Sequence, residues 1–344
     1  MNHSLKPKVL HVTEALNGGV VTALSALFNQ YSEFDHILLA DSHSWDPLPS
    51  EEEVSDFGVR FVPWKGSKFA KMIQLRRICK SESPPVIHLH SSWAGLLGRL
   101  LPSSGQVVYS AHGFAFQRRD IPPLSRSLFR LVEAALQFRT NHYHAFWPSE
   151  VDFVRGLGYP ERKIVRDYVL AHELMVGPDS ELQANNQLSN RVLGIGRLTA
   201  AKGIDLFAEV ARVCEELDFL WIGDSLGGDA LPSNMRAVEW MSRADLLKEL
   251  SWARALLITS QWEAGPATLY EAVSSGVPVV ARLIPATTVL TVCLENEAAG
   301  LSAHLRELGQ PAVRSRVLST QIASVREALD QGHGDLDRVY RGGA

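Results

Sequence analysis

The residues best suited to chemistry lie in Ser260-Gln-Trp-Glu-Ala-Gly-Pro-Ala-Thr-Leu-Tyr-Glu-Ala-Val-Ser-Ser-Gly-Val-Pro-Val-Val-Ala281, where an apolar strand runs into a polar loop and then a short helix. Two carboxylates, Glu263 and Glu271, bracket the loop. Gly265 and Pro266 stop the strand and let the backbone approach a ligand, and proline suits a helix start because the missing N–H costs nothing there. The open N–H groups of Ala267, Thr268 and Leu269 then face an anion site. Glu271 falls about one turn inside the helix while Glu263 stays on the loop, so the two reach different parts of one polyhydroxylated ligand. This pattern points to sugar and ribose recognition.

A second cluster, Gly196-Arg197-Leu-Thr-Ala-Ala-Lys202-Gly203, brings two cations to the start of a predicted helix. Cations there oppose the helix dipole unless an anion is bound. Arginine offers a planar fork for phosphate oxygens and lysine a compact point charge, so the pair suits an anion. Ser110-Ala-His112-Gly-Phe114 follows a predicted strand, and an imidazole at that edge can donate a hydrogen bond to an anionic ligand.

Glu263, seven residues, Glu271 and then Gly276-Val-Pro278-Val-Val resembles the donor-site signature of retaining nucleotide-sugar glycosyltransferases of family 4, the glycosyl transferases group 1. Gly196-Arg197-Leu followed by Lys202-Gly203 is similar to a second motif of that family. The resemblance implies a GT-B fold: an α/β chain of two facing Rossmann-like domains with parallel sheets and an interdomain cleft. It implies Arg197, Lys202, His112 and Glu263 as catalytic residues. Donor-binding residues are implied at Gly18, Gly19, Gly196, Met241, Gly265, Pro266, Ala267, Thr268, Leu269 and Glu271. Met241 replaces the family's glycine in a segment whose backbone usually meets the nucleobase. Two departures stand out: Val169-Leu-Ala-His-Glu173 replaces the usual Asn-Gly-Val-Asp, and Arg282-Leu-Ile-Pro-Ala286 follows Ala281 where a small pair is normal. No donor contact is carried over beyond Ala281.

The implied activity is transfer of a hexosyl-type sugar, with retention, from a nucleotide-diphosphate sugar to a glycan or lipid-linked acceptor in surface polysaccharide or glycoconjugate synthesis. No metal or other cofactor is expected. A cofactor-free sugar-nucleotide epimerase shares the architecture and the diphosphate grip, and a degenerate nucleotide-sugar or glycan-binding subunit is the non-enzymatic alternative.

A length of 344 residues is long for one core, and 46% hydrophobic with 21% charged residues is the make-up of a globular protein. The net charge of −4 is uneven: residues 1–170 carry 19 Lys/Arg against 16 Asp/Glu, and residues 171–344 carry 15 against 22. The basic half holds two basic, apolar segments, Trp64–Lys80 and Phe114–Arg130, the first without an acid between Phe61 and Ser81. They suit peripheral contact with an anionic membrane carrying a lipid-linked acceptor. A solvated helix face with Lys and Arg stems over apolar surface is the plainer reading. Three scattered cysteines fit neither a disulfide framework nor a zinc site. The first residues lack the apolar run of a signal peptide, and Pro278, Arg282 and Pro285 interrupt 272–294 as a membrane span. A cytoplasmic monomer without a nucleic-acid partner is expected.

The positioning elements follow from alternation. Lys8–Thr13 reads as a buried strand, Gly18-Gly19 as a turn and Val20–Phe28 as a helix. Further strands at 36–40, 59–62, 86–90, 107–111 and 143–147, with helices between, predict a parallel sheet covered on both faces. That arrangement places His90, His112 and Pro148-Ser149 at the ligand edge, while His88, His90, His142 and His144, which alternate on strands without forming a metal set in sequence, read as packing or acceptor-cleft residues. The expected boundaries are 1–173 for an acceptor-side domain, 174–190 for a linker, 191–330 for the nucleotide-sugar domain and 331–344 for a polar tail.

Overall fold

A computed structural model describes residues 6–14, 16, 19–41, 58–175, 189–224, 231–332 and 334–342. Its contacts divide the chain into two units, one within Met1–Gln117, Pro123–Leu170 and Gly332–Ala344, the other within Arg118–Pro122 and Ala171–Gln331.

The first unit is built on a seven-stranded sheet of β1 (Lys8–Thr13), β2 (Asp35–Ala40), β3 (Arg60–Pro63), β4 (Val86–His90), β5 (Gln106–Ser110), β6 (His142–Ala145) and β7 (Ile164–Arg166). The order is β3-β2-β1-β4-β5-β6-β7, and every pairing is parallel. Parallel sheets are covered on both faces, which is why β4, Val-Ile-His-Leu-His, is buried at every position. The sheet's order reverses between β1 and β4, so the carboxyl ends of those strands form the crevice where such folds bind ligands.

The second unit carries β8 (Arg191–Gly196), β9 (Asp218–Gly223), β10 (Met235–Glu239), β11 (Ala255–Ile258), β12 (Val279–Arg282) and β13 (Leu294–Glu295). They form a parallel sheet in the order β10-β9-β8-β11-β12-β13. Its core centres on Phe207, Phe219 and Trp221, with Phe207 edge-on to both other rings. Here the order reverses between β8 and β11, the two strands that feed Arg197–Lys202 and Ser260–Glu271.

The predicted elements recur with boundaries shifted by a few residues. The expected helix 20–28 spans Gly19–Gln30. Val169–Met175, at the departure from the family pattern, is a helix, and most of the expected linker lies outside the described residues. The end of the chain requires a correction. Instead of a polar tail, Leu336–Tyr340 is a helical turn with Leu336, Val339 and Tyr340 buried in the first unit. Those residues are spaced i, i+3 and i+4, one helical face, while the polar residues around them stay outside.

Candidate functional site

The turn after β8 depends on a backbone geometry that only glycine supplies cheaply. Gly203 has φ +67°, and a Cβ there would sit 2.2 Å from the carbonyl oxygen of Thr259. This close approach binds the two loops: the Thr259 hydroxyl donates to the Lys202 carbonyl (3.0 Å), and Gln261 N–H donates to the Ala201 carbonyl (2.7 Å). The stem of Lys202 lies over Gly196, where a Cβ would meet its Cδ and Cε at 3.0 Å. Gly196 therefore gives the lysine its path along the sheet edge.

Held this way, Lys202 Nζ donates to Glu263 Oε1 across 61 residues of sequence, and the Ser260 hydroxyl donates to the same oxygen at 2.8 Å. Lys202 and Glu263 are two of the residues that the resemblance implies as catalytic. They are ion-paired to each other, and both side chains remain partly accessible. Arg197 is exposed, and its side chain has no hydrogen-bond or ion-pair partner among the described residues. The Leu198 N–H next to it donates to Asp224 Oδ2 (2.7 Å).

Beyond Glu263 the helix Ala267–Ser274 begins after Pro266, and no side chain caps it. Glu271 is 7% exposed, and Arg243 Nη1 donates to its Oε1 at 2.9 Å. Burial pushes the Glu271 carboxyl above its ordinary range, and Arg243 opposes that shift. Nothing in the sequence singled out Arg243. It starts the helix Arg243–Ser251, two residues after Met241, which is half-buried, and three after the exposed Trp240. A conspicuous charge directly after Trp-Met-Ser was the available signal.

In the first unit Gly18 lies outside the described residues, and Gly19 is the first residue of its helix, with open space where a Cβ would project. The adjacent Glu14 carboxylate accepts from the Trp93 N–H (2.9 Å), the Ala94 N–H (2.8 Å) and the Ser91 hydroxyl. It thus fills the N-terminus of the helix Ser92–Leu100, an anion site the chain uses itself.

His112 follows β5 in the left-handed region, φ +50°, a conformation non-glycine residues adopt at a cost of about 1–2 kcal/mol. Burial and the nearby His144 push its pKa down to about 3, so the ring is neutral. It is not isolated. His90, which the sequence had placed at the same edge, contacts His112, and His11 and His36 extend the row across neighbouring strands. His11 on β1 is in register with His88 of β4, and His36 on β2, in register with Val9 and through it with Val86, is offset by two residues and so shares that face of the sheet. His11, His88 and His90 bring ring nitrogens within 4.8 Å of one another, a spacing that could hold a metal ion. All six nitrogens, however, already sit in hydrogen bonds: those of His11 and His90 to other histidines, those of His88 to Tyr340 and Ser110.

Comparison with known proteins gives these sites a context. Residues 18–166 match the glycosyl transferase 4-like domain, and residues 189–308 match glycosyl transferases group 1. The chain is similar to an uncharacterized 41.2 kDa protein in the cps region of Klebsiella pneumoniae, 26% identical over 295 residues and 80% of each chain. It is also similar to the UDP-Gal:alpha-D-GlcNAc-diphosphoundecaprenol alpha-1,3-galactosyltransferase of Escherichia coli, 25% identical over 78% of this chain and 76% of that one. Among solved structures, sucrose-phosphate synthase from Thermosynechococcus elongatus superposes with a TM-score of 0.74 at 15% identity, covering 98% of this chain and 99% of that one. With two parallel α/β sheets of seven and six strands and both family domains in sequence, the chain belongs to the group 1 glycosyltransferases of the GT-B fold.

Proposed function

We propose that this glycosyltransferase moves a hexose, with retention, from a UDP-sugar to a lipid-linked acceptor during surface polysaccharide synthesis. The observation that carries the reading is the set of groups at the switch point of the second sheet. Lys202, Glu263, an uncapped helix start at Ala267 and a buried Glu271 all lie where β8 and β11 end. A diphosphate suits the cations Arg197 and Lys202 and the open N–H groups, and carboxylates suit hydroxyls.

In this mechanism the departing diphosphate takes Lys202 from Glu263, which frees the Glu263 carboxylate to accept from a sugar hydroxyl. Glu271, held by Arg243, accepts from the ribose. Charge that grows on the leaving phosphate is met by cations already in place, so no metal is assigned a role. The E. coli relative named above uses UDP-Gal and a diphosphoundecaprenol acceptor, which supports a UDP donor and a lipid-diphosphate acceptor here.

Membrane contact is part of the proposal. The helix Pro123–Leu136 exposes Leu124 (82%), Leu128 (60%) and Leu131 (66%), one stripe at i, i+4 and i+7, next to Arg126 and Arg130. Apolar residues flanked by arginines match an interfacial helix on anionic lipid.

The test is incubation of the full chain with radiolabelled UDP-galactose or UDP-glucose and a GlcNAc-diphosphate-lipid. Transfer of label to the lipid with the anomeric configuration kept is the expected result. Epimerised sugar nucleotide, or binding without transfer across a panel of UDP, GDP and ADP sugars, would overturn the reading.

A further inference from the structure

The histidines of the first unit form a directed chain. His36 Nε2 lies 2.8 Å from the Tyr31 carbonyl oxygen, and a carbonyl only accepts, so His36 carries its proton on Nε2. Its Nδ1, the remaining nitrogen of a neutral ring, lies 3.0 Å from His11 Nε2 and accepts from it. His11 Nδ1 then accepts from His90 Nε2 at 3.0 Å, and His90 Nδ1 accepts from His112 Nε2 at 2.9 Å. One carbonyl at the start of the row thereby fixes the tautomer of four rings, each protonated on Nε2 and bare on Nδ1.

Neutrality holds along the row. His11, His36 and His90 are buried, and a charge on any of them would face other imidazoles; burial lowers the pKa of all three. A parallel branch has the same direction. The Ser110 hydroxyl donates to the His144 carbonyl (2.8 Å), so it accepts from His88 Nε2 (2.9 Å), and His88 Nδ1 accepts from the Tyr340 hydroxyl (2.7 Å).

We propose that this four-histidine chain is a tautomer lock that leaves His112 Nδ1 bare, facing no partner among the described residues, so that the ring can only accept a hydrogen bond there. The lock reverses the polarity expected for His112. A bare nitrogen repels a phosphate oxygen and takes a hydrogen bond from a neutral sugar hydroxyl. His36, His11 and His90 are positioning residues that act through His112. The lock lies within the first unit and does not rest on the transferase reading above.

The test is long-range proton–nitrogen correlation NMR of the 15N-histidine-labelled full chain, with His112 assigned through His112→Asn. The expected spectrum shows His112 protonated on Nε2 with the nitrogen shift of a bare Nδ1, and the same tautomer at His36, His11 and His90. A protonated Nδ1 at His112, or a doubly protonated ring at neutral pH, would overturn the lock. His36→Phe removes the ring that fixes the direction, and is expected to move the His112 nitrogen shifts toward a mixture of tautomers. An unchanged single tautomer in a folded variant would also overturn it. If His36→Phe fails to fold, the wild-type spectrum alone decides the matter.

Discussion

At the scale of single residues, the site in the second unit holds two charge pairs, Lys202 with Glu263 and Arg243 with Glu271, beside Arg197, which has no partner among the described residues. The sequence made Glu263, Glu271, Arg197 and Lys202 legible because residue types at fixed spacing carry charge whatever the fold. It hid the partnerships, since Lys202 and Glu263 are 61 residues apart and Arg243 lies on a different element from Glu271. Lys202→Ala and Arg197→Ala are each expected to cut transfer by on the order of a hundredfold, the effect of losing one charge-stabilising donor, measured as kcat with UDP-galactose. Arg243→Ala has a pH signature. Glu271 has a folded-state pKa raised by burial, so the native form binds its proton more tightly than the unfolded chain, and this group's contribution to stability grows as pH falls. Removing Arg243 leaves the ionised carboxylate buried and unpaired. The Tm of Arg243→Ala should therefore fall below wild type at neutral pH, and the gap should narrow as pH approaches the carboxylate range near about 4.3. A gap that widens on acidification would contradict the pairing.

At the scale of elements, alternation made the strands readable, because a buried parallel strand is a short apolar run whatever it pairs with. Strand order was not readable, and it is the order that puts β8 beside β11 and brings their two loops together. The join is tight at Gly203. Gly203→Ala adds a Cβ against the Thr259 carbonyl at a positive φ, which should cost about 1–3 kcal/mol, lower Tm and reduce kcat together. The basic segments show where pattern reading stops. Lys68 Nζ sits 3.4 Å from the centroid of the Trp93 ring and Lys71 pairs with Asp41, so part of the first segment's charge is engaged within the unit. The stripe Leu124, Leu128 and Leu131 is the element left for lipid. Replacing all three with serine should abolish sedimentation with anionic vesicles at low salt. Stability should stay within about 0.5 kcal/mol per site, the range for exposed positions. Undiminished sedimentation would move the membrane contact elsewhere or remove it.

At the scale of the whole molecule, the first unit is not closed by its own stretch of chain. After the second unit, the backbone re-enters the first one with Leu336–Tyr340, and Tyr340 reaches the hydroxyl contact with His88 at its core. Composition concealed this because Gly332, Gly334, Asp335 and Asp337 read as a frayed end, and Asp337 is taken up by Arg341 one turn on. Only the spacing of three apolar residues carried the signal, and a five-residue helix has no periodicity strong enough to be found by pattern. Its energetic role follows from burial. Leu336, Val339 and Tyr340 are each at most 1% exposed, and burying such side chains is worth about 1.5–3 kcal/mol apiece. Truncation after Gln331 is thus expected to remove on the order of 5 kcal/mol, comparable with the whole stability of a typical domain. It would also leave the His88 nitrogen that accepts from Tyr340 without a partner. The loss should fall on the first unit alone, since the truncated residues pack there. Calorimetry should show one of two transitions moved to lower temperature, with limited proteolysis cutting first between residues 6 and 170. The Tyr340→Phe variant keeps the ring and loses only the hydroxyl, so a shift of about 1–3 kcal/mol, the cost of one unsatisfied buried acceptor, separates the hydrogen bond from the packing. Truncation that leaves both transitions where they were would mean that the returning segment does not hold the first unit together.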